Sequence, residues 1–510
     1  MKYPIGIQDF RKLREGGYVY VDKTEYISRI LNSGNYYFLS RPRRFGKSLL
    51  LSTMKELYSG SRELFKGLWV EGHWNWEQRN PVIWLKFSSQ GVRTLGLAPA
   101  IGKMLEESAE GLGITLQEAP YDLKFKELIK KAAHTRKAVL LIDEYDKPII
   151  DNLDDIEQAE ANRQVLKNLY SVLKDSDPYL ELAFITGVSA FSKVSIFSDL
   201  NNLYNLSLTD LAEKLVGITQ EEMEAYFEEP LQQAAEKNKL TLNELFDKVK
   251  RWYNGYSWTG ESKVYNPFSL LSFLSGKQFQ TFWFETGTPT FLVKEMKKQK
   301  YYNVKELQVS QSKLSAFDFT RLDPISVLFQ TGYLTVIHYE AEDGLYTLDY
   351  PNMEVRKSME QNLLTEYLDY PLDDPLVKVV NLRNALMKKD INEVIEIINA
   401  TFASIPYDLW QKENEHFFHA LIHLAFSLLG TYIQSEAHTA RGRCDALVQT
   451  EQYLYAFEFK LDKTAEEALQ QIEEKGYLEP YADSPKEKIA VGINFSSEEK
   501  KVTDWLVHEF

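Results

Sequence analysis

A chain of 510 residues exceeds what one hydrophobic core usually serves, so two or three domains are expected. Its composition, 44% hydrophobic and 26% charged, is that of an ordinary globular protein, and a net charge of −15 excludes one that coats nucleic acid through bulk positive charge. A nucleic-acid enzyme stays open, because a local basic patch or bound cations suffice for it. The single cysteine, Cys444, rules out intrachain disulfides and four-cysteine zinc sites. No apolar run is long enough to span a bilayer, and "MKYPIGIQDFRKLREGG" lacks a signal-peptide core, so the chain reads as cytoplasmic with no membrane partner.

From residue 1 to about 215, short apolar runs alternate with amphipathic stretches. The runs "YYFLS" (36–40), "VIWLKF" (82–87), "AVLLID" (138–143) and "LAFIT" (182–186) are nearly continuous in apolar residues. Strands of that kind are buried on both faces of a parallel sheet. Helical patterns over 47–59, 97–112 and 158–174 lie between them, which predicts a doubly wound α/β domain.

The first strand runs into "RPRRFGKSLL", where Gly46, Lys47 and Ser48 complete a strand–loop–helix phosphate-binding unit. Backbone N–H groups and the helix N-terminus would face phosphates, Lys47 would reach the β- and γ-phosphates, and Ser48 would hold Mg²⁺. The pattern's first glycine is replaced by Arg41. With Arg43 and Arg44 this places three guanidiniums in the loop, for contact with a triphosphate, with transition-state charge or with a nucleic-acid phosphate, unless they are simply a basic surface. About a hundred residues on, "KAVLLIDEYDKP" ends a strand in Asp143, a Mg²⁺-shell ligand, and Glu144, which would orient or deprotonate the attacking water. Thr186, closing the strand in "FITGVS", occupies the place of a γ-phosphate sensor. ATP and Mg²⁺ are the cofactors these residues call for.

From about 216 to 374 the pattern turns mostly helical, with "ITQEEMEAYFEEPLQQAAEKN" a strong helix candidate. It is punctuated by "RWYNGYSW", "YNPFSLL", "FWFETGTPTFL" and "LFQTGYLTV", whose aromatic and glycine residues read as interdomain packing.

A third pattern occupies 375–510. Helices are expected over 390–400 and 412–430, then strands "YIQSEAHT", "RCDALVQT" and "YLYAFEFKL", a helix over "KTAEEALQQIEEKGYLEPY", a strand "KIAVGINF" and a closing helix "SSEEKKVTDWLVHEF". In "YLYAFEFKL" alternation puts Glu458 and Lys460 on one face, and a hairpin around Thr450–Gln452 brings Asp445 alongside. Two carboxylates can hold Mg²⁺ with positions left for water and a scissile phosphate, while the lysine activates the water and stabilises charge on phosphorus. This is the D…E-x-K arrangement of metal-dependent nucleases. Glu415 on the preceding helix is a further candidate metal ligand, and Gln471 a candidate neighbour of the site, or each lies on an exposed helix face. His416, His419 and His423 share that helix but lack the H-E-x-x-H order of a zinc site.

With these residues in place, the chain resembles bacterial AAA-ATPase-like proteins that carry a C-terminal PD-(D/E)XK nuclease domain. The resemblance covers nearly the full length, through "PIGIQDF", "YVDKT", "FLSRPRRFGKSLL", "LLIDEYDKP", "ITGVSAFSKVSIFSDLNNL", "TGYLT" and "GRCDALV…YAFEFKL". It implies ATP at Gly46, Lys47, Ser48, Asp143 and Glu144, and Mg²⁺-dependent phosphodiester cleavage at Asp445, Glu458 and Lys460. Cys444 stands where the motif's name has proline. In "YVDKT", Lys23 would either approach the nucleotide or form a structural salt bridge. The expected protein is an ATP-dependent or ATP-regulated nuclease acting on DNA or RNA, with a homo-oligomer possible. The competing expectation is a nucleotide-switched regulator whose nuclease-like domain only grips nucleic acid or protein.

Overall fold

The structure, a computed structural model, describes residues 2–87, 95–153, 155–190, 196–197, 200, 202–283, 290–299, 301–315, 323–368, 374–403, 415–430, 434–436 and 445–510; within these, the side chains of 290–291, 415–419 and 434–436 are excepted. The chain divides into two compact units. The first holds residues 1–286 and 305–354, the second 287–304 and 355–510.

In the first unit, five strands form one sheet: β1 (Tyr36–Ser40), β2 (Val82–Lys86), β3 (Ala138–Asp143), β4 (Leu180–Gly187) and β5 (Tyr204–Asn205). Their order is β2-β3-β4-β1-β5 and every pairing is parallel. The apolar runs explain this: every residue of β1 and β3 is buried, as central parallel strands require. Helices Lys47–Tyr58, Leu97–Gly111 and Ile156–Ser171 lie close to the expected bounds, and Tyr121–Ala132 is an additional helix between β2 and β3. With β1 and β3 separated only by β4, the phosphate loop and the acidic pair emerge at the same carboxyl edge of the sheet, where ligands bind in open α/β sheets.

The middle of the chain is rich in helices. Gln220–Tyr226, Glu228–Asn238, Leu242–Tyr253 and Pro267–Gly276 share a core of Ile218, Phe227, Leu245, Tyr253 and Phe273, against which Tyr3, Val19 and Val21 also pack. It also holds a small antiparallel sheet that the helical pattern did not announce. Strands β6 (Leu307–Ser310), β7 (Thr335–Glu340) and β8 (Leu345–Asp349) pair in the order β6-β8-β7. Gly255 of "RWYNGYSW" is required by geometry: its φ is +106° and a Cβ there would lie 1.9 Å from the Pro351 carbonyl oxygen.

In the second unit, β9 (Gln434–Glu436), β10 (Ala446–Gln449), β11 (Tyr453–Leu461), β12 (Glu487–Ser496) and β13 (Lys501–Glu509) make a mixed sheet ordered β13-β12-β11-β10-β9, parallel only between β11 and β12. The expected hairpin is present, with Ala446 opposite Phe457 and Gln449 opposite Leu454. Alternation along β11 is as the sequence implies. Phe457 and Phe459 stack and receive Phe426 from the helix Glu415–Leu429, while Leu454 and Ala456 pack with Ile472 and Tyr477 on the other face. The expected long helix after β11 ends sooner, as Ala465–Lys475, because Gly476 takes a left-handed cap at φ +60°.

The expected closing helix over 496–510 is overturned. Those residues turn at Lys500, which sits at φ +56°, and return as β13 antiparallel to β12. "KVTDWLV" is rich in β-branched and aromatic residues, and an available sheet edge outweighs its weak helical periodicity.

Candidate functional site

The helix Lys47–Tyr58 opens on Gly46, whose φ of +96° suits a residue without Cβ. That turn buries Lys47, whose Nζ donates to the carbonyls of Arg41 at 2.8 Å and Pro42 at 2.9 Å. Burial lowers the Lys47 pKa, and the negative charges of Asp143, Asp146 and Glu144 oppose that shift. Lys47 and the acidic strand end are therefore brought together. Asp143 is buried and accepts from the Thr186 hydroxyl at 2.9 Å, so β4 fixes the carboxylate of β3. Glu144 follows at φ +53°, and burial, then the charge on Asp143, raises its carboxyl above the usual range.

Of these residues, Gly46, Lys47, Glu144 and Asp146 border a cavity of about 380 Å³. Its polar end carries Arg43, Arg44, Gly46, Lys47, Ser48 and Glu144, and its apolar walls include Ile5, Ile7, Val216 and Phe268. A volume of this size suits a nucleotide. Arg43 and Arg44 are exposed, and the Arg44 guanidinium stands 5.0 Å from the centre of the Phe268 ring.

Arg41 departs from the expectation of three guanidiniums at the ligand. It is fully buried, donates to the carbonyls of Ser40, Ser207 and Ala212 at 2.9, 2.7 and 3.1 Å, and lies 3.8 Å from the centre of the Trp258 ring. Burial brings its pKa down to about 9. The side chain that replaces the loop's first glycine thus ties the loop to residues 207–212. Arg41→Ala would strand three carbonyls and leave a void, and a loss of about 3–5 kcal/mol is expected. Thermal unfolding checks this; an unchanged midpoint would contradict it.

Three supporting residues fall outside the sequence reading. Asp146, the third carboxylate of "DEYDKP", is buried, and its Oδ2 accepts from Val188 N, Ser189 N and Ser189 Oγ at 2.9, 2.6 and 2.5 Å. Trp283 Nε1 donates to the Arg43 carbonyl at 3.2 Å, and Asn266 Nδ2 approaches the same oxygen at 3.5 Å. "FWFET" and "YNPFSLL" therefore brace the phosphate loop within one unit. Lys23 of "YVDKT" forms the salt bridge considered for it, to Glu222 at 2.6 Å, and is also among the residues lining the cavity.

In the second unit, Asp445 directly precedes β10 and its Oδ2 accepts from the Phe459 backbone N–H at 2.8 Å. That bond ties it across the hairpin beside Glu458. Lys460 Nζ donates to Glu458 Oε1 at 3.0 Å and to Gln471 Oε1 at 2.6 Å, while the Gln471 amide donates to Glu458 and, at 3.3 Å, to the Tyr477 hydroxyl. Glu458 is 4% exposed, and its Oε2 has no hydrogen-bond partner among the described residues. Burial first, then the charge on Asp445, pushes its carboxyl up to about 7. An unpartnered buried carboxylate oxygen beside a second carboxylate fits a hard divalent cation with oxygen ligands.

Two family models match the chain. One, described as "Predicted AAA-ATPase", covers residues 4–197, and the other, "PD-(D/E)XK nuclease superfamily", covers 413–505. A curated relative from Azotobacter chroococcum mcd 1, described as "Uncharacterized protein in vnfD 5'region", is 39% identical over 521 residues, spanning 99% of this chain and 98% of that protein. The chain belongs to the AAA-ATPase-like proteins with a C-terminal PD-(D/E)XK nuclease domain. No solved structure matches it.

Within this AAA-ATPase-like family member, Glu415 lies on the helix Glu415–Leu429, and its side chain is outside the described residues, as are those of His416 and His419. His423 meets the ring of Tyr302, with centroids 5.3 Å apart. Cys444 also lies outside the described residues. Among the described residues, no group of three or more His, Cys, Asp or Glu side chains gathers as a metal cluster, and no helix is long and apolar enough to cross a membrane.

The raised Glu458 carboxyl carries a pH signature. Its folded pKa of about 7 lies above its ordinary 4.5, so the folded state binds the proton more tightly. Its contribution to stability is present below about pH 4.5 and is lost as pH rises through about 7. In EDTA, Glu458→Gln should gain thermal midpoint relative to wild type between pH 5 and pH 8. A difference that stays flat would remove the argument.

Proposed function

We propose that this protein binds and hydrolyses ATP in its N-terminal domain and cleaves phosphodiester bonds in its C-terminal domain, with nucleotide state regulating cleavage. Lys47 and Glu144 lining one cavity, with the charge of Asp143 reaching Lys47, support the first half. The Asp445–Glu458–Lys460 cluster supports the second.

At the nucleotide site, Lys47 would exchange the Arg41 and Pro42 carbonyls for β- and γ-phosphate oxygens, and the apolar walls of the cavity would take the base. Glu144, made more basic by burial and by Asp143, would orient the attacking water and take its proton. Thr186 would keep Asp143 aimed at the site, and Arg43 and Arg44 would meet phosphate charge. At the nuclease site, Lys460 would position water and stabilise negative charge on phosphorus, with Gln471 holding its ammonium in place. Mg²⁺, held by Ser48 and Asp143 at one site and by Asp445 and Glu458 at the other, with Glu415 as a further ligand, would polarise phosphoryl oxygens as a Lewis acid.

For regulation, Trp283 bonds to the phosphate loop, and four residues later the chain belongs to the second unit. A change in that loop on ATP binding would thus reach a segment shared with the nuclease domain.

The test is a cleavage assay over single- and double-stranded DNA and RNA, with Mg²⁺ or EDTA and with or without ATP. Cutting that needs metal and responds to ATP is expected. No cutting under any metal, together with ATP-dependent capture of nucleic acid or protein, would replace this proposal with the nucleotide-switched binder.

A further inference from the structure

Strand β13 (Lys501–Glu509) lies at the edge of its sheet: in the order β13-β12-β11-β10-β9 it has a neighbour on one side only among the described residues. Its ladder with β12 fixes which backbone groups are left over. Phe510 N donates to the Lys488 carbonyl at 2.9 Å, and bonding alternates along an antiparallel pair, so Trp505, Val507 and Glu509 turn their N–H and C=O groups away from β12. Soluble proteins usually blunt such an edge. Here the cover stops early. Asn399, on the helix Ile391–Ala403, donates to the Val502 carbonyl at 3.4 Å and accepts from the Val502 N–H at 2.7 Å, and the register with β12 slips between Asn494 and Phe495. Beyond that point no strand or side chain among the described residues caps the outward backbone groups. Two large apolar side chains stand out from the same stretch, Trp505 at 37% exposed and Val507 at 41%.

We propose that β13 is the interface of a homodimer, pairing antiparallel with β13 of a second copy about a twofold axis at Leu506. The strand is complementary to itself in that register. Trp505 falls opposite Val507 of the second copy, and Val507 opposite its Trp505. The outward backbone groups of both then meet in hydrogen-bonded pairs, and the exposed aromatic and β-branched side chains cover each other. On the other face Leu506 meets Leu506. Acidic Asp504 meets His508, whose Nδ1 lies 2.6 Å from Glu473 Oε1, and this contact too occurs twice. Moving the axis to Val507 would set Trp505 against Glu509. Moving it to Trp505 would run the pairing into Val502, whose backbone Asn399 already holds. A second copy suits this edge better than a foreign strand, because each exposed group finds its complement in the same sequence. One strand pair is smaller than a standard interface, so the dimer should be a weak one. It depends on neither the nucleotide nor the nuclease reading.

Sedimentation velocity of the full chain without nucleotide, from about 1 to 100 µM, should show the mass rising toward that of two chains. Val507→Pro removes an outward N–H and none that bonds β12. It should leave the thermal midpoint near that of wild type and hold the protein monomeric at the highest concentration. Leu506→Cys in a Cys444→Ser background should oxidise to a disulfide-linked dimer, since the axis brings the two Cα atoms to about 4.5 Å. Asp504→Cys in the same background should not, because it faces His508 and not its own copy. A wild type that stays monomeric across the range overturns the proposal. So does a dimer that survives Val507→Pro, which would mark an interface elsewhere. If Val507→Pro fails to fold, the two cysteine variants decide: a covalent dimer through 506 and none through 504 supports the interface, and any other pattern ends it.

Discussion

Lys460→Ala should reduce metal-dependent cleavage by on the order of 10²–10³-fold or more while leaving ATP binding at the wild-type level. The expected size follows from what the ammonium touches. It bonds Glu458 Oε1 and Gln471 Oε1 together, so its removal takes away the cation that would meet charge on phosphorus and frees the glutamine that aims it. It also removes a favourable charge on a Glu458 carboxyl already pushed up to about 7, which would raise that carboxyl further and weaken cation binding at neutral pH. Two losses then combine, one chemical and one in metal affinity, and raising Mg²⁺ should recover only the second. Lys460→Arg keeps the charge but not the compact ammonium, and should restore little. A Lys460→Ala protein that cuts as well as wild type would remove the nuclease assignment.

Lys47→Ala should weaken ATP binding by about 10- to 100-fold, read by titration with a fluorescent ATP analogue, and abolish turnover. The side chain is buried and lines the cavity, held by two loop carbonyls and by the charges of Asp143, Asp146 and Glu144, a position that the exposed Arg43 and Arg44 do not occupy. Because Lys47 also bonds two loop carbonyls, a binding loss must be separated from damage to the loop. Glu144→Gln supplies the contrast: binding kept, hydrolysis lost. Equal ATP affinity in wild type and Lys47→Ala would remove the nucleotide assignment. If the regulatory link holds, Lys47→Ala should also flatten the response of cleavage to ATP without touching Lys460.

Much of this was legible in the residues because it rests on local rules. Fully apolar runs gave the parallel strands, Gly46 gave the left-handed entry to the helix, and period-two alternation placed Glu458 and Lys460 together. What escaped was set by contacts far apart in sequence. Arg41 looked like a ligand because it sits among candidate phosphate ligands, and only the carbonyls at Ser207 and Ala212 and the Trp258 ring turn it inward. Asp146 looked like one more charge until its bonds to residues 188 and 189 are counted. The β13 strand needed an open sheet edge that no local pattern announces.

The route of the chain between its two units has a practical side. The polypeptide passes between its two bodies at 286/287, 304/305 and 354/355. A single protease nick or one truncation therefore cannot set either body free whole. A C-terminal fragment beginning at 375 would leave behind the Thr290–Lys298 helix and all of Met353–Tyr367, and with them Leu363 and Leu364, which are buried in the intact chain. Such a fragment should be poorly soluble, and its silence in a cutting assay would say nothing about the intact chain.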